Sequence, residues 1–323
     1  MAEHKHQIAE GPLVVVTGPT ASGKSGLALA LARRFDGTVI NSDALQVYRE
    51  LEILTARPNP EALSAAPHRL YGVLPGAQAC SAALWRDLAL AEIAAAQQAG
   101  RLPIVTGGTG LYIRALLRGL ASLPEIPDQV RQAARARFEE RGLEAFRAEL
   151  AARDPAAGRL ADRQRLIRAW EVLEATGRPL SAWQAEPAPA PAAFRALGLV
   201  LLPPRAALTA ACDGRFEAMI GAGALDEVRA LSALGLAPDR PILKALGVPE
   251  LCRHLAGEIG LAEAVAAAQS ATRRYAKRQA TWLRGQTPKD FPAPPHVIGA
   301  QYSESLDARI FKIVDEFLLT APR

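Results

Sequence analysis

The sequence predicts an α/β fold in which helices cover a parallel sheet and a helical region is inserted into the chain. Two stretches, starting at Val14 and Leu102, repeat the order of strand, glycine-rich turn and helix. That order is typical of parallel βα units. Between residues 126 and 183 the apolar periodicity is helical, with breaks at Gly142, Asp154 and Gly177, and predicts no strand.

The first of these turns follows an apolar run, residues 14–16, and precedes an amphipathic helix. It matches the pattern G-x-x-x-x-G-K-[ST] with Gly18, Pro19, Thr20, Ala21, Ser22, Gly23, Lys24 and Ser25. In this context the backbone N–H groups and the helix N-terminus cradle phosphate oxygens. Lys24 adds a positive charge and the Ser25 hydroxyl a ligand for Mg²⁺. The sequence thus predicts a P-loop NTPase-like core; the alternative is a plain glycine-rich turn.

Further strands are predicted at residues 38–40, 70–74, 102–106 and 197–202, and helices after residues 81 and 110 and from Arg205 onward. Ligands of such sheets collect at the carboxyl ends of the strands. We therefore expect residues 18–25, 41–46 and 107–110 to surround one crevice.

These patterns divide the chain into a discontinuous core and an insertion. The predicted core comprises residues 11–122 and 194–323, and the helical insertion residues 123–193, of which 185–193 form a Pro/Ala-rich linker. Residues 1–10 are predicted to be disordered.

The composition excludes several classes of protein. No apolar run is long enough to span a membrane and no secretory signal is present. The three cysteines are far apart and lack a C-x-x-C pair, which argues against zinc and a disulfide framework and favours a reducing cytoplasm. The net charge of +5 is modest, but residues 264–289 contain six cations and no acid. Such a stripe is consistent with contact to a phosphate backbone and equally with a solvated helix face.

Asp43 follows the second predicted strand at the mouth of the crevice. It has three possible roles there: binding Mg²⁺, accepting a proton from a nucleophile, or capping the next helix. Thr109, in the second glycine turn, either contacts a ligand or caps the helix after it.

Two helical segments have the composition of a nucleic-acid contact. Residues 164–168 place glutamine and arginine on one helix face, and residues 277–284 combine cations with an amide and an indole. A solvated helix face and a core tryptophan, respectively, would give the same patterns.

Taken in order, these blocks closely resemble the tRNA dimethylallyltransferases (isopentenyl-diphosphate:tRNA transferases), the bacterial type in particular. The resemblance covers residues 12–285, through GPTASGKS (18–25), INSDALQVYREL (40–51), APHRLYGV (66–73), GGTGLYIRALL (107–117), LPEIPDQVR (123–131), DRQRLIRAWEV (162–172) and KRQATWLR (277–284).

The resemblance implies transfer of a dimethylallyl group from dimethylallyl diphosphate to N6 of the adenosine 3′ of the anticodon in tRNA. It assigns Asp43 as the general base and Thr109 as a contact of the diphosphate or the amine. Residues 18–25 and Arg215 would hold the diphosphate, with Mg²⁺ on Ser25. The adenosine would be flipped out of the anticodon loop into a channel through the core.

The resemblance also implies contacts with the tRNA anticodon stem-loop, which the insertion would clamp. The matching positions are Asp43, Ala44, Leu45, Gln46, Thr109, Arg131, Gln164, Arg165, Leu166, Ile167, Arg168, Lys277, Arg278, Gln279, Ala280, Thr281, Trp282, Leu283 and Arg284. Two departures weaken it: Ala44 replaces the usual serine, and residues 244–249 lack the usual aromatic and cation. We expect a cytoplasmic monomer.

Two other functions fit parts of the sequence. A P-loop kinase would bind ATP and use Arg131, Arg135, Arg137 and Arg141 as a lid. A P-loop RNA-binding protein without chemistry would leave Asp43 and Thr109 unexplained.

Overall fold

A computed structural model describes residues 11–121, 123–186 and 194–320 and contains a six-stranded, all-parallel sheet, which confirms the predicted α/β class. The spatial order of the strands is β3-β2-β4-β1-β5-β6. The strands are β1 (Pro12–Thr17), β2 (Gly37–Asn41), β3 (His68–Arg69), β4 (Leu102–Gly107), β5 (Arg195–Leu201) and β6 (His296–Ile298).

The central strand β1 is apolar along its length because both of its faces are covered. Leu13 and Val15 belong to one hydrophobic cluster, whereas Val14 and Val16 belong to another on the opposite face. A strand that is buried on both sides is a continuous apolar run instead of an alternating one. This is the pattern that predicted β1.

The described helices account for most of the remaining chain. They are α1 (Lys24–Arg34), α2 (Pro60–Ala65), α3 (Ala82–Gln98), α4 (Gly110–Arg118), α5 (Asp128–Arg153), α6 (Arg163–Thr176), α7 (Leu180–Ala185), α8 (Arg205–Gly221), α9 (Ala224–Ala233), α10 (Val248–Leu255), α11 (Leu261–Gly285), α12 (Thr287–Asp290) and α13 (Asp307–Leu319). None of these helices is both long and apolar enough to cross a membrane.

The chain divides into two compact units, one of residues 1–117 and 192–323 and the other of residues 118–191. The second unit is helical in its described part, and packs Phe138, Phe146 and Leu166 into a core of its own. Gly142 interrupts α5 with φ 71°, and Gly177 ends α6 with φ 68°. Both breaks were predicted.

Some predicted features lie outside the described residues. These are the N-terminal residues 1–10, Ser122 at the predicted boundary, most of the predicted linker (187–193), and residues 321–323.

The predicted strand at residues 70–74 is wrong. The strand of that region is β3, which is two residues long and ends before Leu70. Leu70 and Gly72 have φ values of 63° and 61°, which an extended strand excludes. Leu74 retains a single bridge to Tyr48.

The prediction of a purely helical tail after Arg205 is also wrong, because it omits β6. This strand has three residues and pairs with β5 at the edge of the sheet. So short a run, preceded by Pro292, Pro294 and Pro295, has no recognisable alternation in the sequence.

A carboxylate on α9 organises the loop that follows Leu51. The Oε1 atom of Glu227 accepts the N–H groups of Glu52 (2.5 Å) and Ile53 (2.8 Å), and its Oε2 atom accepts that of Leu54 (2.9 Å). Hydrogen bonds to a charged acceptor are about twice as strong as neutral ones. Glu227 therefore fixes this loop from 173 or more residues away.

We expect Glu227→Gln to lower the free energy of unfolding by about 1–3 kcal/mol, because an amide accepts at one atom only and carries no charge. Urea denaturation measures the change. The control is Asp226→Asn on the same helix, whose exposed carboxylate pairs with Arg229 and contributes under about 1 kcal/mol. Equal effects of the two variants would contradict the assignment.

Candidate active site

Three strand ends meet at one edge of the sheet, as predicted. The neighbouring strands β2, β4 and β1 lead into residues 41–46, 107–110 and 18–25. The Ser42 N–H donates to the Thr106 carbonyl (2.7 Å), and the Thr17 hydroxyl donates to the Gly107 carbonyl (2.9 Å). The three loops are thus linked directly to one another.

The phosphate loop, residues 18–25, is tightly wound. Gly23 has φ 88° and immediately precedes α1, which begins at Lys24. A Cβ atom on Gly18 would lie 2.5 Å from the Ser22 Oγ and 3.0 Å from the Leu201 carbonyl oxygen. Both glycines are therefore required by the geometry, and the N-terminus of α1 faces any anion in the loop.

A segment near residue 300 supports this loop, which no pattern in the sequence predicted. The Tyr302 N–H donates to the Ser22 carbonyl (3.2 Å), and the Gln301 side chain donates to the Ala21 carbonyl (2.7 Å). The support depends on the position of β6, which the sequence did not predict.

Two cations lie beside the loop in a desolvated environment. Burial lowers the pKa of Lys24 to about 8, an effect that Asp43 opposes and Arg215 strengthens. Burial also lowers the pKa of Arg215, whose guanidinium donates to the Thr20 hydroxyl. Two cations with depressed pKa values and little hydration favour the binding of a multiply charged anion.

Asp43 occupies a turn that its neighbours hold rigidly. Its N–H donates to the Asn41 Oδ1 (2.8 Å), and its Oδ1 accepts the Leu45 N–H (3.0 Å). The Asn41 carbonyl in turn accepts the indole N–H of buried Trp85 (2.8 Å). The bond to Leu45 closes a local turn and caps no helix, because the next helix, α2, begins at Pro60 and is capped by Asn59. In the described part of the chain no donor reaches Oδ2, which leaves this atom available for chemistry.

Thr109 does not cap the helix after it with its side chain. Its Oγ1 instead accepts the Ala44 N–H (3.0 Å), which joins the second glycine turn to the Asp43 loop. The phenol of Tyr275 lies beside Thr109, and burial raises the pKa of Tyr275. The sequence did not single out Tyr275, although it immediately precedes the predicted segment 277–284.

Helix α11 divides the predicted contact segment 277–284 into two faces. Gln279, Ala280 and Leu283 are buried, and Trp282 is half-buried against Gly110. Lys277, Arg278, Thr281 and Arg284 are exposed. The exposed face keeps the cationic character that predicted a nucleic-acid contact, and the buried face cannot take part in one.

The other predicted tRNA contacts of the first unit have partners within the protein. The Gln46 amide donates to the carbonyls of Thr55 (2.8 Å) and Ala56 (2.9 Å), and Leu45 packs against the core. In the segment 244–249, Lys244 and Pro249 are exposed and the four residues between them are wholly or partly buried.

The helical unit also separates its predicted contacts by face. Gln164 and Arg165 are exposed, whereas Leu166 and Ile167 belong to the core of the unit. Arg168 pairs with Glu171 at 3.1 Å. Arg131 donates to the Ile126 carbonyl (3.2 Å). Within the predicted segment 164–168, the aliphatic side chains of Leu166 and Ile167 are therefore structural.

The candidate metal ligand of this site is the Ser25 hydroxyl, an oxygen donor. In the described ranges no group of three or more His, Cys, Asp or Glu side chains lies close enough to hold an ion. Mg²⁺ usually takes one or two protein oxygens and completes its shell with substrate phosphates and water. The exposed Ser25 hydroxyl beside a phosphate loop fits that requirement.

The depressed pKa of Lys24 implies a stability cost that depends on pH. Below about pH 8 the folded state holds a charged, desolvated ammonium at Lys24. Between pH 8 and 10.5 this amine is neutral in the folded state and still protonated in the unfolded state. The free energy of unfolding of the wild type therefore rises with pH over this range. We expect Lys24→Met to be more stable than wild type by about 1–2 kcal/mol at pH 7, and this gap to narrow by pH 10.

Urea denaturation at pH 7 and pH 10 measures this gap. The control is Lys312→Met, which removes an exposed ammonium and should show no pH-dependent difference from wild type. A Lys24→Met variant less stable than wild type at pH 7 would contradict the prediction.

The chain is similar to known proteins along nearly its whole length. The profile of the family described as IPP transferase matches residues 46–286, and that described as Isopentenyl transferase matches residues 12–73. The chain is 54% identical over 314 residues to the tRNA dimethylallyltransferase of Paramagnetospirillum magneticum (96% of this chain, 98% of the relative). It is 57% identical over 282 residues to that of Rhodospirillum centenum (86% and 90%).

A solved structure gives the same result. The tRNA isopentenylpyrophosphate transferase of Bacillus halodurans superposes with a TM-score of 0.68 at 29% identity, over 96% of this chain and 97% of the other. The profile covers more than half of the chain, and the relatives align along nearly all of it. The chain therefore belongs to the IPP transferase family.

Proposed function

We propose that this protein is a tRNA dimethylallyltransferase, which transfers the dimethylallyl group of dimethylallyl diphosphate to N6 of the adenosine 3′ of the anticodon and releases diphosphate. The observation that carries the proposal is the composition of one crevice. A phosphate loop with two desolvated cations lies there beside the rigidly held carboxylate of Asp43. The family membership of the chain supports the same reaction.

The diphosphate is the leaving group of this reaction. As the bond from the allylic carbon to oxygen breaks, negative charge grows on the diphosphate. The loop N–H groups, Lys24 and Arg215 are oriented before the reaction begins, so they stabilise that charge without reorganising. Binding of the anion also favours the protonated form of Lys24.

Asp43 serves as the general base. The adenosine N6 forms a bond to the allylic carbon, and the N6 proton moves to the carboxylate. An aryl amine is a weak nucleophile, so removal of positive charge as the bond forms lowers the barrier. Thr109 keeps the Asp43 loop in place through its bond to the Ala44 N–H (3.0 Å).

We propose Mg²⁺ as the metal ion, with the Ser25 hydroxyl as its protein ligand. When bound, the ion would neutralise charge on the departing diphosphate. A loop that carries one hydroxyl ligand leaves the remaining coordination positions to phosphate oxygens and water.

The tRNA binds through the exposed cations of α11, namely Lys277, Arg278 and Arg284, and through Gln164 and Arg165 of the helical unit. The target base leaves the anticodon loop, which costs a few kcal/mol that the basic contacts offset. We propose that the enzyme acts as a cytoplasmic monomer. A P-loop kinase is not favoured, because the relatives of this chain are tRNA dimethylallyltransferases.

We expect the purified protein to transfer label from isoprenoid-labelled dimethylallyl diphosphate to an unmodified tRNA with adenosine at that position. A tRNA with guanosine there lacks the N6 amine and serves as the control. We expect EDTA to abolish transfer. Turnover of ATP without transfer would support the kinase and overturn the proposal.

Asp43→Asn separates the base from the turn-closing role, because the asparagine Oδ1 still accepts the Leu45 N–H. We expect kcat to fall by about 10²–10⁴-fold and the Kd for tRNA to stay within threefold. Single-turnover kinetics and filter binding measure the two quantities. The control is Asp87→Asn, an exposed carboxylate on α3; full activity of Asp43→Asn would exclude it as the base.

A further inference from the structure

Gln279 makes two hydrogen bonds that join separate loops of the crevice. Its Oε1 accepts the N–H of Thr20 in the phosphate loop (2.8 Å), and its Nε2 donates to the Gly108 carbonyl in the second glycine turn (2.9 Å). The side chain is 6% exposed. Both ends of the amide are therefore occupied, and it is inaccessible to a nucleic acid.

The second glycine turn has the shape that this amide requires. A Cβ atom on Gly108 would lie 2.2 Å from the Gln279 Nε2, and one on Gly110 would lie 2.0 Å from the Trp282 Nε1. These two glycines therefore allow α11 to approach the turn. The close approach of α11 therefore explains why both positions are glycine, and no contact with a ligand is needed to explain it.

Only a primary amide of this length satisfies both loops. It presents an acceptor to the Thr20 N–H and a donor to the Gly108 carbonyl. A carboxylate would place an oxygen against the Gly108 carbonyl, and alanine would leave both backbone groups unpaired.

The two loops hold different partners of the proposed reaction. Thr20 belongs to the loop that holds the diphosphate, and its hydroxyl also accepts from Arg215. Gly108 immediately precedes Thr109, which holds the Ala44 N–H beside Asp43. Gln279 thus connects the leaving-group side of the crevice with the base side.

We propose that Gln279 is a positioning residue that fixes the phosphate loop against the second glycine turn, and thereby the diphosphate against Asp43 and Thr109. This role rests on the proposed transferase function and replaces the sequence-based assignment of Gln279 to tRNA contact. Displacements of about 1 Å between reacting groups lower rates by about 10²-fold, so the connection bears directly on the rate.

We expect Gln279→Ala to lower the single-turnover transfer rate at saturating tRNA by 10–100-fold and to leave the Kd for tRNA within threefold of wild type. Its affinity for inorganic pyrophosphate, measured by calorimetry without tRNA, should fall at least fivefold. The control is Gln269→Ala on the same helix, whose amide donates to Asp213 and Glu217 and which should match wild type in all three measurements. Gln279→Glu keeps the side-chain size and should reproduce the loss if Gln279→Ala unfolds.

Gly108→Ala provides an independent test in a double-mutant cycle. The added methyl carbon would lie 2.2 Å from the Gln279 Nε2 and 3.2 Å from the Gly18 carbonyl oxygen, so the single variant should lose pyrophosphate affinity. Gln279→Ala removes the severe clash and leaves the milder one, so adding Gly108→Ala to it should cost much less affinity than adding it to wild type. If the two substitutions lower the pyrophosphate affinity independently, so that their fold-changes multiply in the double variant, the proposal is overturned.

Two other outcomes would also overturn it. One is a Gln279→Ala variant that equals Gln269→Ala in pyrophosphate affinity. The other is an unchanged rate at saturating tRNA with a tenfold weaker tRNA complex, which would make Gln279 a tRNA contact. A wild-type protein that binds pyrophosphate but transfers nothing would refute the transferase function, and the pyrophosphate measurements would still decide the role of Gln279.

Discussion

The adjacency of β2, β4 and β1 in a parallel sheet is the constraint on which the site depends. Parallel pairing brings their carboxyl ends to one edge, so loops that are 60 to 90 residues apart in sequence become neighbours. The short bonds from Ser42 to Thr106 and from Thr17 to Gly107 then fix the loops to that edge. The sheet itself is held by apolar clusters on both faces, which leave little freedom for the strand ends.

The buried positive charges of the crevice lower the free energy of unfolding of the protein. Burial lowers the pKa of both Lys24 and Arg215, and the charge of Arg215 lowers the pKa of Lys24 further. Oriented charges of this kind destabilise the unliganded fold and stabilise a reacting anion, because they need no rearrangement when the charge develops. The bond from Arg215 to Thr20 and the Glu227 carboxylate that holds residues 52–54 maintain this arrangement.

The sequence predicted those parts of the fold and site that have a local signal. Buried strands, the phosphate loop and the breaks at Gly142 and Gly177 depend on a few consecutive residues, and each was predicted. The strand at residues 70–74 was wrong because the left-handed backbone at Leu70 has no clear signature. Gln279 lies among cations, so the sequence suggested a nucleic-acid contact; its true neighbours, Thr20 and Gly108, are 259 and 171 residues away. Contacts between residues so far apart in the chain leave no signal in the local sequence.

The support of the phosphate loop by Gln301 and Tyr302 has a consequence for biosynthesis. The backbone of the loop is held by a side chain that is translated 280 residues later. At about 5–20 residues per second, roughly 15–55 s separate the two events. During that interval the nascent chain carries an anion-binding loop without its final support. Maturation of the active site is thus delayed until residues 301 and 302 have left the ribosome.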